Sequence, residues 1–225
     1  MNRNLATQKG ISAPDFLQAV QQHYHTCQAT PDYQAADWAK PEHLENAIAA
    51  QLSVIPEQCQ SLLDLGCGRG GIYAAVQQRG SNWHYLGIDL MPQNIEICQQ
   101  RYPQGQWQVG NYWEALAQPE AVDWIVSNGC LFSHTRPQDR ERLLTALLAK
   151  ARLGFSVICL LQRPGQDVQE INASPHLHAT PHYWFERSFK RLGDSITATL
   201  DHQTGLELDP DNALVVVQHS NMLET

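Results

Sequence analysis

The sequence predicts an α/β fold built on a mostly parallel sheet. Three observations carry this. From residue 61 to residue 161, apolar runs of strand length alternate with stretches of helical period. The first apolar run passes through closely spaced glycines directly into a helical pattern. The last two strand-like runs, Ile196–Leu200 and Ala213–Val217, are separated by turn residues with no helix between them, which makes them antiparallel neighbours.

The elements follow in order. Residues 1–58 form a helical N-terminal cap. Its first helix starts at Ser12-Ala13-Pro14 and carries Phe16, Leu17 and Val20 on one face, with Tyr24 one turn on. Pro41 opens a second helix with Leu44, Ile48 and Leu52 at helical spacing. Residues 59–161 form the core, with strands at Ser61–Leu65, Trp83–Asp89, Gln106–Val109, Val122–Asn128 and Phe155–Leu161. Helices are expected at Gly71–Arg79, from Pro92 through Tyr102, and at Pro137–Ala151. Residues 162–225 hold a Pro-, Gly-, Asn- and His-rich stretch, Gln162–Thr180, then a helix at His182–Leu192 and the two closing strands. The long stretch reads as a lid. The chain reads as a single domain over residues 1–225.

The segment Leu62-Leu63-Asp64-Leu65-Gly66-Cys67-Gly68-Arg69-Gly70-Gly71 is a strand, a tight turn and a helix start. Such a turn lets backbone approach a ligand closely and presents unpaired helix N–H groups to it. Eighteen residues after Gly71, the second strand ends in Asp89, placed to accept hydrogen bonds from ribose hydroxyls. A nucleoside-containing cofactor is therefore expected. Gly66, Gly68 and Gly71 also satisfy G-x-G-x-x-G, so an NAD-dependent oxidoreductase is one reading. Asp64 argues against it, because a carboxylate gains nothing beside a pyrophosphate. A sulfonium and an ammonium, by contrast, are favoured by a nearby acid.

The run also resembles motif I of the class I S-adenosylmethionine-dependent methyltransferases, with Asp64, Gly66, Gly68 and Gly70 in matching places. Ala36-Asp37-Trp38 before a Pro-initiated helix, Val126-Ser127-Asn128-Gly129 with Phe132 after it, and Tyr183-Trp184-Phe185 near the end are similar to a bacterial subgroup of small-molecule methyltransferases. The resemblance implies a Rossmann-like seven-stranded sheet whose antiparallel last strand inserts between strands five and six. It implies S-adenosyl-L-methionine as cofactor. Asp64, Gly66, Cys67 and Gly68 would hold the methionine part, Asp89 the ribose, and Leu90 or Met91 the adenine face. Asn111 stands where many members have an acid toward the adenine amino group, and its carbonyl can accept the same bond. Tyr112 follows it, and Asn128 and Gly129 would face the transferable methyl.

The implied reaction is methyl transfer to an O or N atom of a small molecule. A cofactor-binding scaffold without catalysis is the alternative. On the substrate side the candidates are Tyr24, Tyr33, Trp38, Phe132, His178 and Trp184, with His176, His182 and Tyr183 beside them in the lid and closing helix. His134 is the candidate general base, because histidine titrates near neutrality.

Composition bounds the partners. Net charge is -8, and no Lys/Arg block exists, which argues against a nucleic-acid partner. No apolar run approaches membrane-spanning length, and the start is polar, so a cytoplasmic protein, monomer or homodimer, without membrane contact is expected. The six cysteines never form C-x-x-C, which suits reduced thiols. The pairs His23-x-His25 and His176-x-His178 lack a full ligand set by spacing, so no metal is expected.

Overall fold

The computed structural model describes residues 13–27, 29–167, 177–200 and 204–220. The described helices are α1 (Ala13–Thr26), α2 (Asp32–Ala35), α3 (Pro41–Ser53), α4 (Gly71–Gln78), α5 (Pro92–Arg101), α6 (Tyr112–Leu116), α7 (Arg140–Lys150) and α8 (His182–Leu192). The strands are β1 (Ser61–Leu65), β2 (His84–Asp89), β3 (Gln106–Val109), β4 (Val122–Asn128), β5 (Ala151–Gln162), β6 (Thr180–Pro181), β7 (Ile196–Thr199) and β8 (Asn212–His219). They make one sheet in the order β3-β2-β1-β4-β5-β8-β7, with β6 paired to the end of β5. β1 to β5 pair in parallel along this path, whereas β8 lies antiparallel between β5 and β7. The expected insertion of the last strand is thus present. The two-residue β6 raises the strand count from the expected seven to 8.

Period-2 alternation assigns the faces. Leu63 and Leu65 of β1 enter the cluster formed with Ile125, Phe155, Leu143, Leu147 and Phe185. Leu62 enters the opposite cluster with Trp124, Val126, Leu214 and Ile72. Asp64 shares the face of Leu62 and lies under α3 and α4. α5 and α7 open on proline-led turns, with Pro92 at the start of α5 and Pro137 opening a 3-10 turn before α7.

Element ends explain the differences from expectation. β5 begins at Ala151, directly after α7, because the residue capping the helix, Ala151 itself, already has extended backbone. The short α6 forms because the Asn111 side chain caps it by accepting from the Glu114 N–H at 3.0 Å. Of the expected lid, residues 168–176, His176 included, lie outside the described residues. Both flanks of that segment are tied down. Arg163 donates to the carbonyls of Pro210 and Asn212, and the His178 N–H donates to the Ser133 carbonyl.

The order of strands reverses at β1, whose neighbours are β2 and β4. A crevice opens there, outside the carboxyl ends of the strands. Helix α1 lies over it.

Candidate functional site

A cavity of about 660 Å³ occupies this crevice. Its floor comes from strand ends: Gly66 and Gly68 after β1, Asp89 to Met91 after β2, Gly110 to Tyr112 after β3, and Asn128 to Cys130 after β4. Its roof comes from Phe16, Leu17, Val20 and Tyr24 of α1. A side pocket of about 120 Å³ shares Gly66, Gly68, Arg69 and Asn128 with it and reaches Asp64, Cys67 and Trp38.

The glycine turn is shaped by its backbone. Gly66 and Gly68 have φ of +79° and +53°, in the region that favours glycine. The N–H groups of Gly66 and Cys67 both donate to the Ile88 carbonyl, at 2.8 and 3.0 Å, which pins the turn to β2. A Cβ on Gly66 would sit 2.6 Å from the Cys130 Cβ, so the turn and the loop after β4 are packed backbone to side chain. A Cβ on Gly68 meets nothing within 4 Å.

Asp89 is 8% exposed and organises the floor. Its carboxylate accepts from the Gly68 N–H at 2.8 Å, the Met91 N–H at 2.9 Å and the Asn94 amide at 3.1 Å. Burial pushes its carboxyl up, and these three donors hold it back. Asp89 is therefore a structural acceptor for the glycine turn and the start of α5 as well as a wall of the cavity. Asp64 is fully buried, and among the described residues its partner is the Tyr85 hydroxyl, which donates to Oδ2. Burial raises Asp64 to about 7, against that bond, and the charge of Asp89 raises it further. Asp64 Oδ1 and Asn128 Oδ1 are buried acceptors without a partner among the described residues.

Beyond β4 the chain turns sharply. Phe132 has φ of +64°, costly for a bulky residue at about 1–2 kcal/mol. Complete burial of its ring, at 5.1 Å from Phe185, offsets this by about 1.5–3 kcal/mol. The reversal returns the chain so that His134 lines the cavity. His134 is buried, not an exposed loop residue, and its Nε2 is 2.8 Å from the Tyr24 hydroxyl. Burial, with Asp37 and other acids nearby, raises the Tyr24 phenol, which is neutral at physiological pH. Tyr112 donates its hydroxyl to the His134 carbonyl at 3.0 Å and so fixes the same loop. Burial holds the Cys130 thiol at about 12, so it is no nucleophile at neutral pH.

Several sequence expectations are corrected. Phe132 and Trp184 belong to the core, packed on each other and on Phe185 rather than on the cavity, because their side chains fill the layer under α8. Tyr33 packs against the α3–α4 core layer and does not line the cavity. Trp38 is 5% exposed and touches only the side pocket, at the glycine-turn end. His178 stacks on Phe16, behind the roof, with ring centroids 5.6 Å apart. Cys67 turns its thiol away from the main cavity and toward the Gly68 carbonyl. The Asn111 carbonyl, expected to accept from a ligand, is engaged in capping α6, and its amide N–H₂ is the edge left over. Asn111 still lines the cavity, as do Leu90, Met91, Tyr112, Asn128 and Gly129.

Sequence reasoning missed Arg69, Asp32 and the charged rim. Arg69 lines the cavity beside the glycine turn and pairs with Asp32 of α2 at 2.9 Å, while Arg101 of α5 pairs with the same carboxylate. The cap is thus latched to the cofactor-side helices through one acid. On the opposite rim, Arg142 lies 4.5 Å from the Trp113 ring centroid, and Arg136 pairs with Asp139 at 2.6 Å.

Residues 62–152 match a family model described as a methyltransferase domain. This span covers the glycine turn, Asp89 and the loop after β4. The similarity to a methyltransferase domain spans these residues, fewer than half of the chain.

Among solved structures, a geranyl diphosphate C-methyltransferase from Streptomyces coelicolor A3(2) aligns with a TM-score of 0.64 at 14% identity, covering 93% of this chain and 100% of that one. The plantazolicin methyltransferase BpumL aligns with a TM-score of 0.62 at 14% identity, covering 90% and 96%. These likenesses show the fold. A methyltransferase candidate, Rv1506c of Mycobacterium tuberculosis, is 31% identical over 106 residues, 44% of this chain and 63% of the relative. The tRNA1(Val) (adenine(37)-N6)-methyltransferase of Aliivibrio salmonicida is 37% identical over 51 residues, 23% of this chain and 22% of the relative. The chain spans between 22% and 63% of the length of the curated relatives it matches.

The two similar solved structures hold S-adenosyl-L-homocysteine, and the residues of this cavity fit S-adenosylmethionine. The two unpartnered acceptors, Asp64 Oδ1 and Asn128 Oδ1, sit beside the glycine turn, where a cationic ligand rich in N–H donors is complementary. No helix among the described residues is long and apolar enough to cross a membrane.

Proposed function

We propose that this protein transfers the methyl group of S-adenosylmethionine to an O or N atom of a small, largely apolar molecule. What supports the reading is the continuity of the cavity, from Asp89 and the glycine turn to the apolar face of α1 and the Tyr24–His134 pair. Asp89, with Leu90 and Met91, would hold the nucleoside end. Asp64, Gly66, Gly68 and Asn128 would hold the amino-acid end. When bound, the cofactor supplies an electrophilic methyl on a sulfonium.

The chain's own residues do the rest. Phe16, Leu17 and Val20 exclude water and seat the apolar part of the acceptor. Tyr24 and His134 lie where the acceptor's O–H or N–H would be. The proton leaving that group passes to the Tyr24 oxygen as the Tyr24 proton moves to His134 Nε2, so no ionised phenol is needed. Alignment of nucleophile and methyl supplies much of the acceleration.

Two curated relatives are named for methylating adenine in RNA, but those matches cover 23% and 36% of this chain. The net charge of -8 favours a small molecule. Calorimetry with S-adenosylmethionine and S-adenosylhomocysteine tests the cofactor, followed by turnover against fractionated metabolite extracts. Micromolar to low-millimolar binding with a methylated product supports the proposal. Binding with no turnover in any fraction supports the scaffold alternative. Binding of NADH in place of both compounds overturns the reading.

A further inference from the structure

We propose that His23, Cys27 and Asp37 form a binding site for a borderline-soft divalent cation of the zinc class, which staples the N-terminal cap together. His23 and Cys27 are four residues apart, so α1 and the turn after it bring both to one face. Asp37 arrives from the turn after α2. One ligand atom from each residue, imidazole N, thiol S and carboxylate O, lies within 4.8 Å of the other two. His23 Nε2 is 2.9 and 2.7 Å from the two Asp37 oxygens. The Cys27 Sγ sits 3.6 Å from the His23 carbonyl, one helical turn back.

An ordinary surface ion pair, of little energetic weight, accounts for His23 and Asp37 alone. It does not require a thiol close to both partners, whereas the Cys27 Sγ lies within 4.8 Å of the His23 and Asp37 ligand atoms. The donor set selects the ion. Thiolate with imidazole suits zinc over magnesium or calcium, which prefer oxygen alone. Two anionic ligands, the Cys27 thiolate and the Asp37 carboxylate, neutralise a dication. Binding releases the Cys27 thiol proton to solvent. The side chains of His23 and Asp37 are 27% and 30% exposed, so an ion has a path in, and three protein ligands leave a coordination position to water.

The consequence lies in what the ion would join. α1 contributes Tyr24 to the cavity roof, and Ala36, next to Asp37, lines the same cavity. A metal between them fixes two walls of the cavity relative to each other, whatever ligand that cavity takes.

The test uses the full chain, stripped with a chelator and titrated with zinc chloride and, separately, cobalt chloride. One equivalent of each is expected to bind at micromolar concentration or tighter. The cobalt form should show a thiolate-to-cobalt charge-transfer band, and zinc calorimetry in two buffers of different ionisation enthalpy should show proton release. Cys27→Ser should abolish the band and weaken zinc by at least about tenfold. Asp37→Asn, which tolerates the left-handed backbone, should weaken it similarly. Far-UV circular dichroism and S-adenosylhomocysteine affinity report whether each variant is folded. Substoichiometric zinc binding, or binding and spectra unchanged in Cys27→Ser, overturns the proposal, because the remaining histidine pairs would then be the source.

Discussion

The sharpest prediction separates two glycines that look alike in sequence. Gly68 and Gly66 both have left-handed backbone, but their surroundings differ. An alanine at 68 meets no atom of the chain within 4 Å and projects where the cavity and side pocket meet. The folded state of Gly68→Ala therefore bears only the left-handed penalty, about 1–2 kcal/mol. For a chain of this size that lowers Tm by about 2–8 °C. Ligand binding should suffer separately. A methyl group forced into an occupied, close-packed site costs about 1–3 kcal/mol, which is roughly 5- to 150-fold in affinity. Gly66→Ala should behave in the opposite way, because its methyl would stand 2.6 Å from the Cys130 Cβ and the loop after β4 must move. That variant should lose more stability than Gly68→Ala. Thermal unfolding and calorimetry with S-adenosylhomocysteine, run on both variants, check the pair. If Gly68→Ala binds within about twofold of the wild type while folded, the glycine turn is not the cofactor cradle and the site argument fails.

Asp89→Ala should lose both stability and cofactor affinity, since it strands two backbone N–H groups and the Asn94 amide; each buried donor costs about 1–3 kcal/mol, and urea midpoints unchanged from wild type would refute its organising role. Asp64 titrates at about 7 when folded, above its unfolded value of roughly 4, so the stability it contributes is full below about pH 4 and is lost as pH rises through 7. Asp64→Asn, which keeps an acceptor for Tyr85, should flatten the fall in denaturation midpoint between about pH 4 and pH 7; an unchanged slope would place the titration elsewhere. His134→Gln should leave S-adenosylhomocysteine affinity near wild type and cut turnover of an identified acceptor by about 10²-fold or more, and equal loss of both would make His134 a packing residue. Hydrogen exchange should show α1 and residues 177–181 slowing together when cofactor product and acceptor bind, because Phe16 and His178 are stacked; equal exchange with and without ligand would leave that flank outside the closure.

Local chemistry determined much of this protein. The glycine turn, the run of parallel strands, the acid ending β2 and the antiparallel final strand are each set by near neighbours: alternation, φ > 0 at glycine, proline at a helix start. They were readable for that reason. β1, β3 and β4 fall on the residues that the strand-length runs mark. His23 and Cys27 also stand at i and i+4, a ligand spacing present in the sequence that reading the histidines only as H-x-H pairs passed over.

What only the tertiary structure decided is which aromatic side chains face the cavity and which face the core. Phe132, Trp184 and Tyr24 are all plausible pocket walls by residue type. The left-handed turn at Phe132 buries its ring under α8 and returns His134 to the crevice, a choice made by long-range packing against Phe185. Likewise Asp37 reaches His23 across fourteen residues, and Asp32 reaches Arg69 and Arg101 across still longer separations. Such meetings depend on where α1 and α2 settle over the sheet. Burial of their apolar faces sets that position, and it leaves no periodic signal in the residues that end up together.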